Sequence, residues 1–394
     1  MPNSGYRWII LVLSYLCMLV FAFTLQSLPP ILPLIIKELR LSHAEAGLLM
    51  SLFALPAIFL AILAGMFLDR FGAYRTGVIS LGLVIVGNSI LALSGTFLFA
   101  GLGRVVSGIG AVTLSVVSAQ ITSQWFRGRE IGAAMGVFNT AMPMGTIVSF
   151  MAFGRLGEGL GWRMPVSLST MIGAVVLAAF LILYRPLPDT VQEKDPEKDK
   201  KHAGPFSALL TVGVSMWLVG FCWMWFNASV ISFSTFAPDF FVSRGYSISS
   251  AGSLASLLMW VSLILSPMIG RLVDKFGNND LFIALGGAII AVTIYVISGS
   301  RDLLLPMVVL AIGVAVVPTP TFSFISKIMR PENSGLGFGI LSTVSSAGMV
   351  FGPYLTGMIK DRTGTYELSF TFLAILALLV TLTAVVLRIK TVRD

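Results

Sequence analysis

The sequence predicts an all-α integral membrane protein of twelve transmembrane helices, arranged as two six-helix parallel repeats. Three observations lead there. Of 394 residues, 56% are hydrophobic and 11% charged, against the ~25% charge of an ordinary soluble domain; mean hydropathy is +0.92. Apolar runs of about 20 residues, the length a helix needs to cross ~30 Å of hydrocarbon, fill most of the chain. The octet Gly65-Met66-Phe67-Leu68-Asp69-Arg70-Phe71-Gly72 returns 205 positions later as Gly270-Arg271-Leu272-Val273-Asp274-Lys275-Phe276-Gly277.

Taken in order, the runs predict helices over 8–30, 44–68, 76–94, 97–124, 131–154 and 164–184, then 207–236, 247–272, 281–299, 303–328, 336–358 and 368–388. Pro, Gly and charged residues mark their ends. The first run is longer than a signal-peptide core and has no small-residue cleavage site behind it, so it stays as a membrane helix. Between the two sets of six, Arg185 to Pro205 mixes acids, lysines and prolines. With nothing to bury, it reads as a solvated linker. The expected units are a bundle over 1–185, a linker over 186–205 and a bundle over 206–394. Two prolines at 318 and 320 are expected to distort the tenth helix.

The net charge of +8 is distributed by side rather than gathered in a patch. Loops on the side of the N-terminus carry 17 of the Lys and Arg residues, the opposite loops carry 8, and Arg104 alone falls inside a helix. By the positive-inside rule both termini face the cytoplasm across the inner membrane, and the basic balance needs no nucleic acid partner. Cys17 and Cys222 sit mid-helix as free thiols.

The repeat extends beyond the octet. At the offset of 205, Pro33 matches Pro238, Ala46-Gly47 matches Ala251-Gly252, and Cys17 matches Cys222; at 203, Gly132, Gly136 and Gly145 match Gly335, Gly339 and Gly348. Parallel six-helix repeats related by an axis along the membrane normal belong to secondary transporters that hold substrate between the halves.

The octet resembles the loop signature of the major facilitator superfamily, G-x-x-x-D-[RK]-x-G-[RK]-[RK], through Gly65, Asp69, Arg70 and Gly72, with Gly270, Asp274, Lys275 and Gly277 as the second copy. Ala73 and Tyr74 replace its terminal basic pair. The fourth helix is similar to the family's arginine motif through Arg104, Gly108 and Gly110. The resemblance implies the major facilitator fold and alternating access. It also implies that Asp69 caps the start of the eleventh helix near Ser334 to Leu336 and that Asp274 caps the fifth near Glu130 to Gly132, latching the halves together. The alternative is an ordinary turn in which each Asp caps locally.

An intramembrane arginine is by default a functional candidate. Arg104 is read either as a substrate contact or as a structural group, snorkelling outward or bonded to carbonyls of the first helix. All eighteen acids fall in loops or at helix ends. No mid-membrane carboxylate is therefore available to carry a coupling proton, with Glu45 and Asp239 as reserves near the outer ends. The candidate substrate contacts are Arg104, Gln26, Tyr15, Asn139, Trp223, Asn227, Trp260 and Thr319, drawn mainly from the first, fourth, seventh and tenth helices. Each aromatic could instead pack against a neighbour or lipid, and each hydroxyl could bond its own helix.

The two histidines, His43 and His202, lie outside the expected helices, and there is no H-E-x-x-H, G-x-S-x-G or nucleotide-binding G-x-x-x-x-G-K-[ST]. An enzyme is therefore not expected, nor a metal or cofactor. The reading is a secondary transporter for a small solute, an organic or inorganic anion on the strength of Arg104, acting as a monomer in the lipid bilayer. The alternatives are an exporter of hydrophobic compounds, favoured by the aromatic seventh helix, and a channel or sensor on the same fold.

Overall fold

Two prolines in tandem, Pro29 and Pro30, decide where the first helix breaks, because neither can donate to the helical ladder. The computed structural model describes residues 5–126, 130–186, 213–329 and 334–393, the side chains of 61–66, 69, 326, 334–336 and 391–393 excepted. Its twelve membrane-length spans are α1 (Tyr6–Leu39), α2 (His43–Leu60), α3 (Arg70–Ala92), α4 (Phe97–Trp125), α5 (Ile131–Leu160) and α6 (Arg163–Leu183), then α7 (Val214–Ser243), α8 (Ile248–Phe276), α9 (Asn279–Gly299), α10 (Leu304–Ile325), α11 (Gly337–Thr363) and α12 (Glu367–Lys390). Among the described residues there is no strand.

The differences from the expected boundaries have local causes. Beyond Gln26, α1 resumes as a 3₁₀ turn at Pro29–Ile31 and a short helix at Leu32–Leu39, since prolines are tolerated in a first turn. His43 lies outside the expected second helix but is the first residue of α2. There Ser42 and Glu45 form a reciprocal capping box. Pro238 is carried inside α7, which continues to Ser243; the expected start at 207 and the linker charges lie outside the described residues. The helix of α5 passes through a π turn at Ser149–Phe153 and runs on to Leu160. As the proline pair requires, α10 is interrupted at Val317: a helix over Leu304–Val316 is followed by one over Pro318–Ile328, which runs past the end of the span.

Each half has its own apolar core. One joins Ile10, Leu49, Phe53, Leu81, Leu114 and Phe180 across α1 to α6. The other joins Phe226, Phe233, Ile290, Leu310, Phe370 and Val380, and also takes in Leu32, Ala46 and Phe150 from the first half. Lipid tails are as apolar as leucine, so packing closeness rather than water exclusion holds such helices together. Glycine supplies that closeness on α4: a Cβ on Gly108 would lie 2.3 Å from the Phe53 carbonyl oxygen, and one on Gly110 2.5 Å from that of Ser80.

The start of α1 and the end of α12 lie at one end of the bundle, here the terminal end; the loops after α1, α7 and α11 lie at the other, the far end. The repeated octet joins α2 to α3 and α8 to α9 at the terminal end. Its closing glycines, Gly72 at φ 76° and Gly277 at φ 69°, both adopt backbone that a side chain would strain.

Candidate functional site

The halves meet at the far end through contacts that repeat across the internal symmetry. A Cβ on Gly47 of α2 would stand 2.2 Å from the Pro353 carbonyl oxygen of α11, and one on Gly252 of α8 would stand 2.2 Å from that of Phe150 in α5. Gly357 approaches the His43 carbonyl to 2.1 Å and Gly154 that of Ile248 to 3.2 Å, measured the same way. A side chain at Gly47, Gly252 or Gly357 would force these backbones apart, and each pair is the other's counterpart at the repeat offsets.

Carboxylates close both seams. Glu158, near the end of α5, accepts the Ser249 backbone N–H at 2.9 Å. Asp361, near the end of α11, accepts the Ala44 N–H at 2.7 Å and the His43 N–H at 2.9 Å. Helix N-termini carry free N–H groups and a partial positive charge, so each acid caps a helix of the opposite half. The Ser51 hydroxyl adds a bond to the Val350 carbonyl.

Towards the terminal end the repeated glycines of α5 and α11 face open space. Cβ atoms on Gly132, Gly136 and Gly339 would meet nothing within 4 Å, whereas one on Gly145 would press on Ala22 at 2.5 Å and one on Gly348 on the Met224 carbonyl oxygen at 2.4 Å. The glycine pattern is therefore packed in its far-end half and vacant towards the termini.

Arg104 is wholly buried. Its Nη1 donates to the Thr24 carbonyl at 2.7 Å, its Nε to the Leu49 carbonyl at 3.1 Å, and its guanidinium lies 4.5 Å from the Phe53 ring centre. Thr24 is in the last turn before the break in α1, where carbonyls lack helical donors, so the arginine ties α4 to α1 and α2. Asn88 reaches the Thr24 hydroxyl at 3.2 Å beside it. Gln26 is buried in the same region.

The remaining candidates fall into two groups. In the first half Tyr15 faces Thr140, hydroxyl to hydroxyl at 3.4 Å, with Asn139 exposed beside it. In the second half Trp223 stacks on Phe226 at 5.0 Å and meets Phe322 edge-on at 5.1 Å, while Phe322 stacks on Phe338. Asn227 donates to the Trp223 carbonyl at 2.8 Å. Thr319 faces Gly270, and Trp260 is exposed on α8. Among the described residues no hydrogen bond or ring contact joins the two groups.

The octet residues are less fully visible. Arg70 lies over Phe71 at 5.5 Å and Lys275 over Phe276 at 5.6 Å, while Asp274 is exposed. The environments of Gly65 and of the Asp69 side chain lie outside the described residues, as do the Ser334 to Leu336 side chains expected to meet Asp69. Glu130, at the start of α5, pairs with Arg7 at 2.8 Å.

Sequence reasoning missed the far-end acids. The signal was present: the offset of 203 that pairs the glycines also maps Glu158 onto Asp361.

Known proteins similar to this chain are transporters. The chain is 26% identical to the lysosomal dipeptide transporter MFSD1 of Danio rerio, over 94% of its own length and 84% of that protein. It is 23% identical to the hexuronate transporter of Bacillus subtilis strain 168, over 90% and 88%. Its fold matches the crystal structure of the nucleoside transporter NupG at a TM-score of 0.79, with 14% identity over 98% and 99% of the two chains. The model of the Major Facilitator Superfamily matches residues 14–302 and 233–394. With transporters as its relatives and the fold in common, this multi-pass membrane protein is a secondary transporter, not an enzyme, and belongs to the Major Facilitator Superfamily.

Proposed function

We propose that the chain carries a small organic anion across the inner membrane by alternating access, its halves 1–185 and 206–394 rocking about the cavity between them while 186–205 links them. The observation that carries this reading is the contrast between the two ends: a twofold seal at the far end, and glycines of α5 and α11 left vacant at the terminal end. With both termini cytoplasmic, as the 17-to-8 charge bias favours, this is the inward-facing state. The carrier acts as a monomer, since one chain supplies both halves.

Support for a carboxylate-bearing solute comes from chemistry common to dipeptides and hexuronates, both small polar bodies with a carboxylate. Arg104 is wholly buried and bonded to the Thr24 and Leu49 carbonyls, so recognition rests on neutral groups: Tyr15, Asn139 and Thr140 on one side, Trp223 and Asn227 on the other. Such a site suits uniport, exchange, or a proton travelling with the substrate. The aromatic wall of Trp223, Phe322 and Phe338 favours a second reading, export of hydrophobic compounds.

A thermal-shift series on the purified protein separates the two. Hexuronates or dipeptides should stabilise it, and the same solutes should then show saturable, trans-stimulated uptake into vesicles. Stabilisation by lipophilic cations alone would select the exporter; flux without saturation would select a channel, and binding without flux a sensor.

A further inference from the structure

The two far-end seams share a backbone geometry but not a chemistry. At one, Glu158 meets a plain helix start, where Ile248 and Leu34 occupy the places that His43 and Asp239 hold at the other. At the second, the His43 ring stands between two carboxylates: Nδ1 is 2.9 Å from Asp361 Oδ1 and Nε2 is 3.4 Å from Asp239 Oδ2. Asp361 comes from α11, Asp239 from α7 and His43 from α2, so the ring bridges the halves.

A neutral imidazole has one N–H and can satisfy only one of these acids, leaving a lone pair facing the other. The doubly protonated ring donates to both. The other groups that face the cluster do not replace that proton. The Tyr366 hydroxyl, from the loop before α12, donates to Asp239. Burial first, and then the Asp239 charge, holds that phenol well above its usual range, so it keeps its proton. Lys360 sits over the Tyr366 ring at 4.7 Å and gives a hydrogen bond to the Gly364 carbonyl at 2.6 Å. Glu45, on the same helix as His43, is occupied by the Ser42 N–H at 2.8 Å. Two carboxylates thus converge on one imidazole whose side chain is 24% exposed, open enough to exchange protons with the solution at the far end.

We propose that the His43 seam is a proton-binding site of the carrier: the charged ring clamps Asp239 and Asp361 to α2 and locks the far mouth shut. Acidifying the outer solution then holds the molecule inward-facing, and raising the outer pH releases the mouth. The symmetric seam at Glu158 lacks an imidazole and supplies closure without pH sensing. The assignment rests on the alternating-access reading above, and histidine is the side chain whose ordinary titration spans pH 5 to 8.

The test uses the full chain in lipid nanodiscs, with spin labels on Gly95→Cys and Arg301→Cys, in the far-end loops of the two halves, and distances measured from pH 8.5 to 5.5. The native Cys17 and Cys222 are buried. In this background the closed population should rise as pH falls, by at most about tenfold in closed-to-open ratio per pH unit for one proton. His43→Gln should flatten that response. Glu158→Gln should lower the closed population at every pH and keep the slope. A slope that survives His43→Gln, or no slope with His43 in place, overturns the proposal. If neither pH nor the Glu158→Gln, Asp361→Asn pair moves the distance at all, it is the two-mouth reading that fails.

Discussion

Glu158 and Asp361 occupy equivalent positions 203 residues apart, and each caps the first turn of a helix belonging to the other half: Glu158 at Ser249, Asp361 at Ala44. The far mouth is therefore held by two copies of one contact. A charge at a helix N-terminus contributes about 1 kcal/mol. Glu158→Gln should lower the closed-to-open ratio roughly fivefold, and Asp361→Asn by more, since it also removes the partner of the His43 ring. The double substitution should multiply the two effects, since the sites share no partner. Accessibility of far-end cysteines to a membrane-impermeant reagent reads this out, and unchanged labelling in the double variant would discard the seal.

Backbone contact at the seal makes bulk intolerable there. Gly47→Leu and Gly252→Leu place a branched side chain where even a Cβ would stand 2.2 Å from a carbonyl oxygen. Transport should fall to background while the far mouth stays open. Gly136→Leu should behave in the opposite way. It meets open space in the present conformation and should leave it intact, but obstruct closure at the terminal end, trapping the molecule as seen here. Double-label distances across both mouths distinguish the outcomes, and normal uptake in Gly136→Leu would remove α5 from the second gate.

The octet acids bear on that second gate. Asp69→Asn and Asp274→Asn should slow transport and shift the population towards the inward-facing state, because the latch they would form closes the terminal end. Reconstituted uptake at an unchanged rate with an unchanged distance distribution would return both acids to ordinary turn chemistry.

Arg104 should report on stability before affinity. Replacing it with alanine strands the Thr24 and Leu49 carbonyls and empties a packed site, at a cost of about 2–4 kcal/mol. The melting temperature in detergent should fall by several degrees, while the protein that remains folded should bind substrate as before. A variant with the original melting temperature and weakened binding would restore Arg104 to the substrate site.

Trp223→Ala and Asn227→Ala should weaken binding roughly tenfold each, the scale of about 1.4 kcal/mol for one lost ring contact or hydrogen bond in a site. Equilibrium binding of the stabilising solute measures this. Two unaffected variants would move recognition off α7.

Hydropathy made the twelve spans legible because a bilayer imposes a length and excludes charge, and a helix must satisfy its own backbone there. The octet likewise identified positions where the backbone needs glycine, and Gly72 and Gly277 both turn through positive φ. Arg104 was legible as important, but the choice between substrate and carbonyl contact was not, because burial against carbonyls depends on how closely Gly108 brings α4 to α2. The cross-half contacts were hidden for a different reason. Ala44, Ser249, Glu158 and Asp361 are ordinary residues at ordinary helix ends, and only the approach of two distant segments makes them partners. His43 belongs to no sequence motif; its ring matters through Asp239 and Asp361, which are remote in sequence.

Both seams cross helices whose ladders are already interrupted. Phe150 belongs to the π turn at Ser149–Phe153, and its counterpart Pro353 cannot donate a backbone hydrogen bond. A helix bends most readily where such an interruption lies. On the alternating-access reading each fastening lies over a crease, and opening should proceed turn by turn along α5 and α11. A sequential release has a lower barrier than the simultaneous rupture of two rigid, close-packed crossings. Stiffening the creases should then slow opening of the far mouth more than it changes how firmly that mouth stays shut.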